Sequence, residues 1–79
     1  MRKFVLDIEA NGLTPDTVWC IVVREIGHDD SLTWSGDRLP EFITWLQKQD
    51  ECELIGHNLI GYDIPVLERL LDVDFSKCK

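Results

Sequence analysis

Apolar and polar side chains alternate along the first segment of the chain. In residues 3–9, three apolar side chains occupy every second position, with Val5, Asp7 and Glu9 between them. The apolar set is Phe4, Leu6 and Ile8. Because successive side chains of a strand point to opposite faces, this alternation predicts a first strand with one buried face.

Two further strands are predicted after a turn. Residues 17–26 are rich in β-branched and aromatic side chains on both faces, which is typical of a central strand. The polar run 27–30 (Gly-His-Asp-Asp) favours a hairpin turn, and residues 31–35 alternate again as a short third strand. The first half of the chain is therefore expected to form an antiparallel meander.

Helical spacing of apolar residues appears in two later segments. A helix is predicted over about 40–49, with Asp37 as its N-cap and a proline near its first turn. Residues 53–57 predict a short buried strand, and 61–72 a last helix with Pro65 in its first turn. The inward-facing residues of the two helices are expected to be Leu39, Phe42, Ile43, Leu46, Ile64, Leu67, Leu70 and Leu71.

The predicted element order is β-β-β-α-β-α within a single domain over residues 1–79. The helix between the third and fourth strands allows a right-handed crossover that brings the fourth strand beside the first, parallel to it. We therefore expect an α/β fold with a mixed sheet in the strand order 3-2-1-4.

Composition narrows the functional classes. The 79 residues are 44% hydrophobic and 29% charged, which is typical of a globular domain. Fifteen acidic against eight basic residues give a formal charge of -7, which excludes nucleic-acid binding through a basic patch. Nucleic acid stays a possible substrate if metal ions neutralise some of the carboxylates. The three cysteines lack C-x-x-C spacing and predict reduced thiols.

The sequence predicts a cytoplasmic protein without a membrane partner. No run approaches the roughly 18 consecutive apolar residues of a membrane span. The first residues are similar to a signal peptide only as far as Asp7 and Glu9, which interrupt the apolar run.

Three acidic side chains are candidates for metal binding. Asp7 and Glu9 are two residues apart on one strand, so they share a face with Cα atoms about 6.6 Å apart. Carboxylates in such a pair can share Mg²⁺ or Mn²⁺; alternatively, the strand ends here and both acids are solvated at its tip. Asp63 follows the fourth strand, whose carboxyl end meets the same sheet edge. It also offsets the dipole of the last helix, and both roles can hold at once.

Two motifs have a family resemblance. Residues 7–13 (DIEANGL) resemble the first motif of the DEDD-type 3′→5′ exonucleases, and N-x-x-x-Y-D at 58–63 resembles their second. The longer run 57–67 (HNLIGYDIPVL) is similar to the N-terminal proofreading domain of family A DNA polymerases from short-tailed bacteriophages. The resemblance spans essentially the whole chain, and it implies an RNase H-like fold and cleavage at the 3′ end of single-stranded DNA. For a phage protein the compartment would be the host cytoplasm.

The resemblance also implies roles for individual residues. The catalytic and metal-binding residues would be Asp7, Glu9 and Asp63, in a two-ion Mg²⁺ or Mn²⁺ site. Leu13 would wedge against the terminal base and Tyr62 would line the nucleotide pocket. Asn58 would orient Asp63 or the backbone of the DNA strand.

The family takes a fourth carboxylate from a third motif, which residues 72–79 do not supply. We therefore expect an exonuclease domain truncated before its last strand and helices, either the front part of a domain or an abbreviated relative. Weak ion binding and little activity are expected of the chain alone, with the remainder of a polymerase or a second copy as partner. An alternative is a catalytically inactive module whose acidic surface binds a basic protein.

The three tryptophans and His57 are further candidates for binding. Trp19, Trp34 and Trp45 could stack on nucleobases, but their spacing on strands and a helix favours packing. His57 precedes the second motif, and a structural role is favoured for it.

Overall fold

The computed structural model describes residues 2–12, 15–49, 51–57 and 59–75. Short turns precede both helices: a 3-10 turn before the first and a π-helical turn before the second. The elements in chain order are β1 (Arg2–Ala10), β2 (Val18–Glu25), β3 (Ser31–Ser35), the 3-10 turn (Gly36–Arg38), α1 (Leu39–Gln47), β4 (Cys52–Ile55), the π turn (Leu59–Asp63) and α2 (Ile64–Leu71).

The four strands form one mixed sheet in the order β3-β2-β1-β4. β2 pairs antiparallel with both β1 and β3, while β4 pairs parallel with β1. The predicted element order, strand order and mixed α/β class are therefore confirmed.

One face of the sheet packs against both helices. The alternate side chains of β1 that the sequence predicted to be buried are buried, and those between them are exposed or half-buried. The buried apolar residues form one cluster: Phe4, Leu6, Ile8, Val18, Ile21, Val23, Trp34, Phe42, Leu46, Cys52, Leu54, Val66, Leu67, Val73 and Phe75. The other face, which carries Asp7 and Glu9, is called the open face below.

Aromatic rings join α1 to the sheet. The rings of Phe4 and Trp45 meet edge to face with centroids 5.1 Å apart, and those of Trp34 and Phe42 lie 5.3 Å apart. Such pairs add roughly 0.5–1.5 kcal/mol beyond the area that they bury. Packing was correctly expected for Trp34 and Trp45, whereas Trp19 is 57% exposed.

The predicted N-cap of α1 is wrong. Asp37 lies inside the 3-10 turn, and the N-cap residue is Arg38, which makes no side-chain capping bond. A capping side chain needs an extended backbone at the cap position, but Arg38 has φ -90° and ψ -6° because the 3-10 turn runs directly into the helix.

The last helix begins later than predicted. The π turn occupies the segment before Ile64, and Pro65 lies in the first turn of α2 as expected. Of the four residues expected to face inward, Leu67 is fully buried and the others are half-buried against the core. Val66 is also buried, which the periodicity did not indicate. Neither α1 nor α2 has the length or the apolar content to cross a membrane, nor does any other helix in the described ranges.

Candidate functional site

The carboxyl end of β4 lies against the middle of β1. Val5 of β1 is opposite Ile55 of β4, so that Gly56 follows beside Leu6. A Cβ atom added at Gly56 would lie 2.9 Å from the carbonyl oxygen of Leu6 and 2.7 Å from the Cδ2 atom of Leu59. These distances are too short for a side chain, so glycine at position 56 allows the chain to leave the sheet close to β1 and enter the π turn.

Asp63 is the last residue of the π turn and the N-cap residue of α2. Within the described residues it is the one charged side chain that is buried, with 6% of its surface exposed. Burial raises the pKa of the Asp63 carboxyl, the nearby Asp7 carboxylate raises this pKa further, and His57 opposes the shift. An effect of Asp7 on this pKa requires that the two carboxyl groups lie within electrostatic range of each other.

Asp7 and Glu9 both lie on the open face of β1 and are exposed to solvent. They occupy the interior and the penultimate position of a strand that continues to Ala10. Their shared face agrees with the alternation in the sequence. Across the part of the chain that the structure describes, no group of three or more acidic, histidine or cysteine side chains is placed to hold a metal ion. The set of three carboxylates therefore stays a prediction.

The carboxyl groups of Asp7 and Asp63 are nevertheless of the ligand type that Mg²⁺ prefers. Mg²⁺ is commonly bound through one or two carboxylates together with substrate phosphates. Burial is the larger cause of the raised pKa of Asp63, and repulsion by the Asp7 carboxylate adds to it; a cation bound by both carboxylates would relieve that repulsion. These two residues would be the ones to hold an ion, with exposed Glu9 on the same strand as the next available donor.

Tyr62 connects the π turn to the loop after β1. Its ring is half-buried against the core, and its hydroxyl donates a hydrogen bond to the carbonyl oxygen of Gly12 at 2.5 Å. The sequence predicted that Tyr62 lines a nucleotide pocket, and this role stays a prediction. The sequence did not predict the hydrogen bond to Gly12, because no local pattern specifies how the π turn is positioned relative to the end of β1.

The loop between β1 and β2 is closed by side-chain bonds. The amide oxygen of Asn11 accepts hydrogen bonds from the backbone N–H groups of Asp16 and Thr17, both at 3.1 Å. The Asn11 amide group donates to an Asp16 carboxylate oxygen at 2.6 Å. From α2, the guanidinium of Arg69 donates to the carbonyl oxygen of Pro15. The loop is therefore attached to the helix that begins next to Asp63.

Two of the predicted substrate-binding residues, Leu13 and Asn58, lie outside the described residues. The structure thus places Asp63 within electrostatic range of Asp7, places Glu9 on the same face as Asp7, and positions Tyr62 at the adjoining loop.

A cleft of about 550 Å³ lies at the opposite end of the sheet, where β1 and β4 begin. Among the cations that line it, Arg2 is paired within the chain, because its guanidinium donates to both carboxylate oxygens of Glu25 at 2.8 Å. This cleft is thus separate from the carboxylate pair.

Comparisons with protein-family models, with curated proteins and with solved structures found no match to this chain.

Proposed function

We propose that this chain is the N-terminal part of a metal-dependent 3′→5′ exonuclease domain, of the proofreading type found in phage DNA polymerases. The observation that carries the proposal is the proximity of Asp7 and Asp63. These residues come from the two motifs that resemble the DEDD exonucleases. Two findings support the proposal: β4, which precedes Asp63, pairs with the strand of Asp7, and the Asp7 carboxylate influences the pKa of Asp63. The sheet order β3-β2-β1-β4 is compatible with an RNase H-like fold.

The proposed substrate is the 3′ end of single-stranded DNA, and the proposed cofactor is Mg²⁺ or Mn²⁺. When bound, two such ions stabilise the attacking and leaving oxygens of an in-line displacement at phosphorus. Asp7, exposed on the open face, would meet both ion and substrate, while buried Asp63 presents a carboxylate whose position is fixed by the packing of α2. Glu9 would contribute from the same strand.

The charge of the chain supports a requirement for metal. With a formal charge of -7, the chain repels DNA phosphates in the absence of a counter-charge. A divalent ion between Asp7 and Asp63 would neutralise the negative charge of both carboxylates at the point where the substrate binds. DNA binding, and not only cleavage, should therefore depend on the ion.

Calorimetric titration with Mn²⁺ tests the site directly. We expect weak binding by the unmodified chain and loss of binding in Asp7→Ala and Asp63→Asn. Asp30→Asn, an exposed acid before β3 that carries the same change of charge, is the matched control and should bind as the parent does. Far-UV circular dichroism establishes that each variant is folded.

Unchanged Mn²⁺ binding in Asp7→Ala would contradict the proposed site. Absence of Mn²⁺ binding by the parent chain would instead favour an inactive module that binds a protein partner. We expect little or no digestion of single-stranded DNA by the 79 residues alone, because the family takes its fourth carboxylate from a third motif. Robust digestion that EDTA abolishes would overturn this expectation of inactivity.

A further inference from the structure

Trp19 is exposed at the end of the sheet that carries Glu9. The register of β1 and β2 shifts between Glu9 and Ala10, and Trp19 is the extra residue that β2 inserts opposite this shift. A bulge of this kind leaves one residue unpaired and redirects its side chain. The indole is 57% exposed, the largest exposed fraction among the large apolar side chains that the structure describes.

Arg24 lies on the open face near the other end of β2. It is opposite Val5, while Val22, two residues earlier, is opposite Asp7. Residues in this diagonal relation are within reach of a long side chain. Even so, Arg24 makes no hydrogen bond or ion pair with the residues that the structure describes, whereas the other three arginines each donate at least one hydrogen bond.

Resting on the proposed function, we infer that Trp19 and Arg24 are the DNA-binding residues on either side of Asp7. The indole of Trp19 stacks on a base, and the guanidinium of Arg24 pairs with a backbone phosphate. Aromatic stacking is the sequence-tolerant way in which proteins hold single strands. The planar guanidinium matches the geometry of phosphate oxygens.

The order of these groups along β2 favours a single strand as the occupant. Trp19, Val22 and Arg24 are successive points along one strand, roughly 16 Å from end to end at about 3.3 Å per residue. Val22 is opposite Asp7, so a strand of a few nucleotides along this line passes Asp7. A basic protein partner would be repelled by Arg24. A DNA phosphate is attracted by Arg24, and the proposed ion would offset its repulsion by the acids.

Fluorescence anisotropy with a labelled 12-nucleotide oligo(dT) measures the binding. In low salt with Mg²⁺, we expect Trp19→Ala to weaken binding at least about fivefold, the lower limit for loss of one stacked base. Arg24→Gln should reduce the slope of log affinity against log salt by about 0.7, as expected for one phosphate contact on a single strand. In the parent chain, the binding of oligo(dT) should quench the fluorescence emission of Trp19.

Leu32→Ala and Arg38→Gln are the matched controls. Leu32 is 47% exposed on β3, opposite Val23 of the buried face, and Arg38 lies in the 3-10 turn, where it pairs with Glu41. Both controls should bind oligo(dT) as the parent does. Thermal melting shows whether the variants are folded; should Trp19→Ala unfold, Trp19→Gln and Arg24→Gln still test the proposal.

Two results would overturn the inference: no binding of oligo(dT) in Mg²⁺, or binding that neither Trp19→Ala nor Arg24→Gln weakens. Mn²⁺ titration separates this failure from failure of the exonuclease proposal. If ion binding depends on Asp7 but oligo(dT) binding is unaffected by substitution of Trp19 and Arg24, only the DNA-binding role of these two residues is contradicted. If oligo(dT) binding depends on Trp19 and Arg24 but no ion binds, the metal site is contradicted and the DNA-binding role of the two residues is supported.

Discussion

The hydroxyl of Tyr62 donates a hydrogen bond to the carbonyl oxygen of Gly12, joining two residues that are 50 positions apart in the chain. Arg69, in the last turn of α2, donates a second bond to the carbonyl oxygen of Pro15. These bonds attach the loop after β1 to the helical unit that carries Asp63. The two motifs that resemble an exonuclease are thereby held in a fixed relation by contacts outside the carboxylates themselves.

Tyr62→Phe removes the bond to Gly12 and leaves the ring in place. We expect the free energy of unfolding to fall by about 0.5–1.5 kcal/mol, toward the lower end because the bond is exposed to water. Urea denaturation followed by circular dichroism measures this change. Unchanged stability combined with weaker oligonucleotide binding would show instead that Tyr62 contacts the substrate, as the family resemblance implies.

Gly56→Ala tests the close approach of β4 to β1. The added methyl group would lie 2.9 Å from the Leu6 carbonyl oxygen, so the strand end or the side chain of Leu59 must move. We expect a loss of about 1–3 kcal/mol in the free energy of unfolding, and weaker Mn²⁺ binding because Asp63 follows the displaced segment.

Gly27→Ala is the comparison for this substitution. Its added Cβ atom meets nothing within 4 Å, but the backbone at Gly27 has a φ of +91°. It should therefore lose about 1–2 kcal/mol through backbone strain alone, with Mn²⁺ binding unchanged. Equal effects of the two substitutions on Mn²⁺ binding would show that crowding at Gly56 has no influence on the site.

Local patterns predicted the sheet because each pattern has one structural solution. The alternation over residues 3–9 fixes which side chains of β1 are buried, and the helical spacing after Pro40 requires a crossover before the next strand. Together they predict the order β3-β2-β1-β4, in which the strand of Asp7 pairs with the strand that precedes Asp63.

The features that the sequence missed depend on register between distant segments. Residues 18–23 are apolar throughout, so their pattern does not reveal that Trp19 is the extra residue opposite Glu9 and Ala10. The N-cap of α1 likewise depends on the 3-10 turn before the helix, and the sequence around Asp37 does not predict this turn. Both errors arise where tertiary geometry, rather than local preference, decides the conformation.

The closure of the β1–β2 loop has a measurable signature in Asp16. Hydrogen bonds from Asn11, and secondarily from Thr17, hold the pKa of the Asp16 carboxyl below its ordinary value of 3.8. The stability that this carboxylate contributes is present above pH 3.8 and is lost as the pH falls through the lower folded pKa. We expect Asn11→Ala to raise the pKa of Asp16 toward its ordinary value, as observed by carboxyl NMR titration. An unchanged pKa would show that the Asn11 bond does not persist in solution.

Asp63 should make stability depend on pH in the opposite direction. Burial, and then the Asp7 carboxylate, raise the pKa of Asp63 above its ordinary value of 3.8. The folded chain therefore binds this proton more tightly than the unfolded chain does. In EDTA, the contribution of protonated Asp63 to stability is complete below pH 3.8 and is lost as the pH rises through the folded pKa.

Asp63→Asn should remove this dependence. We expect the variant and the parent to melt alike at low pH, and the variant to melt at the higher temperature at pH 7 without metal, because an amide carries no charge to bury. Asp30→Asn should show no such divergence between low and neutral pH. In Asp7→Asn, the NMR titration of Asp63 should move to lower pH but stay above 3.8, since burial persists after the charge is removed. A titration of Asp63 that ignores the change at Asp7 would mean that the two carboxyl groups do not meet, and the candidate metal site would lose its central pair.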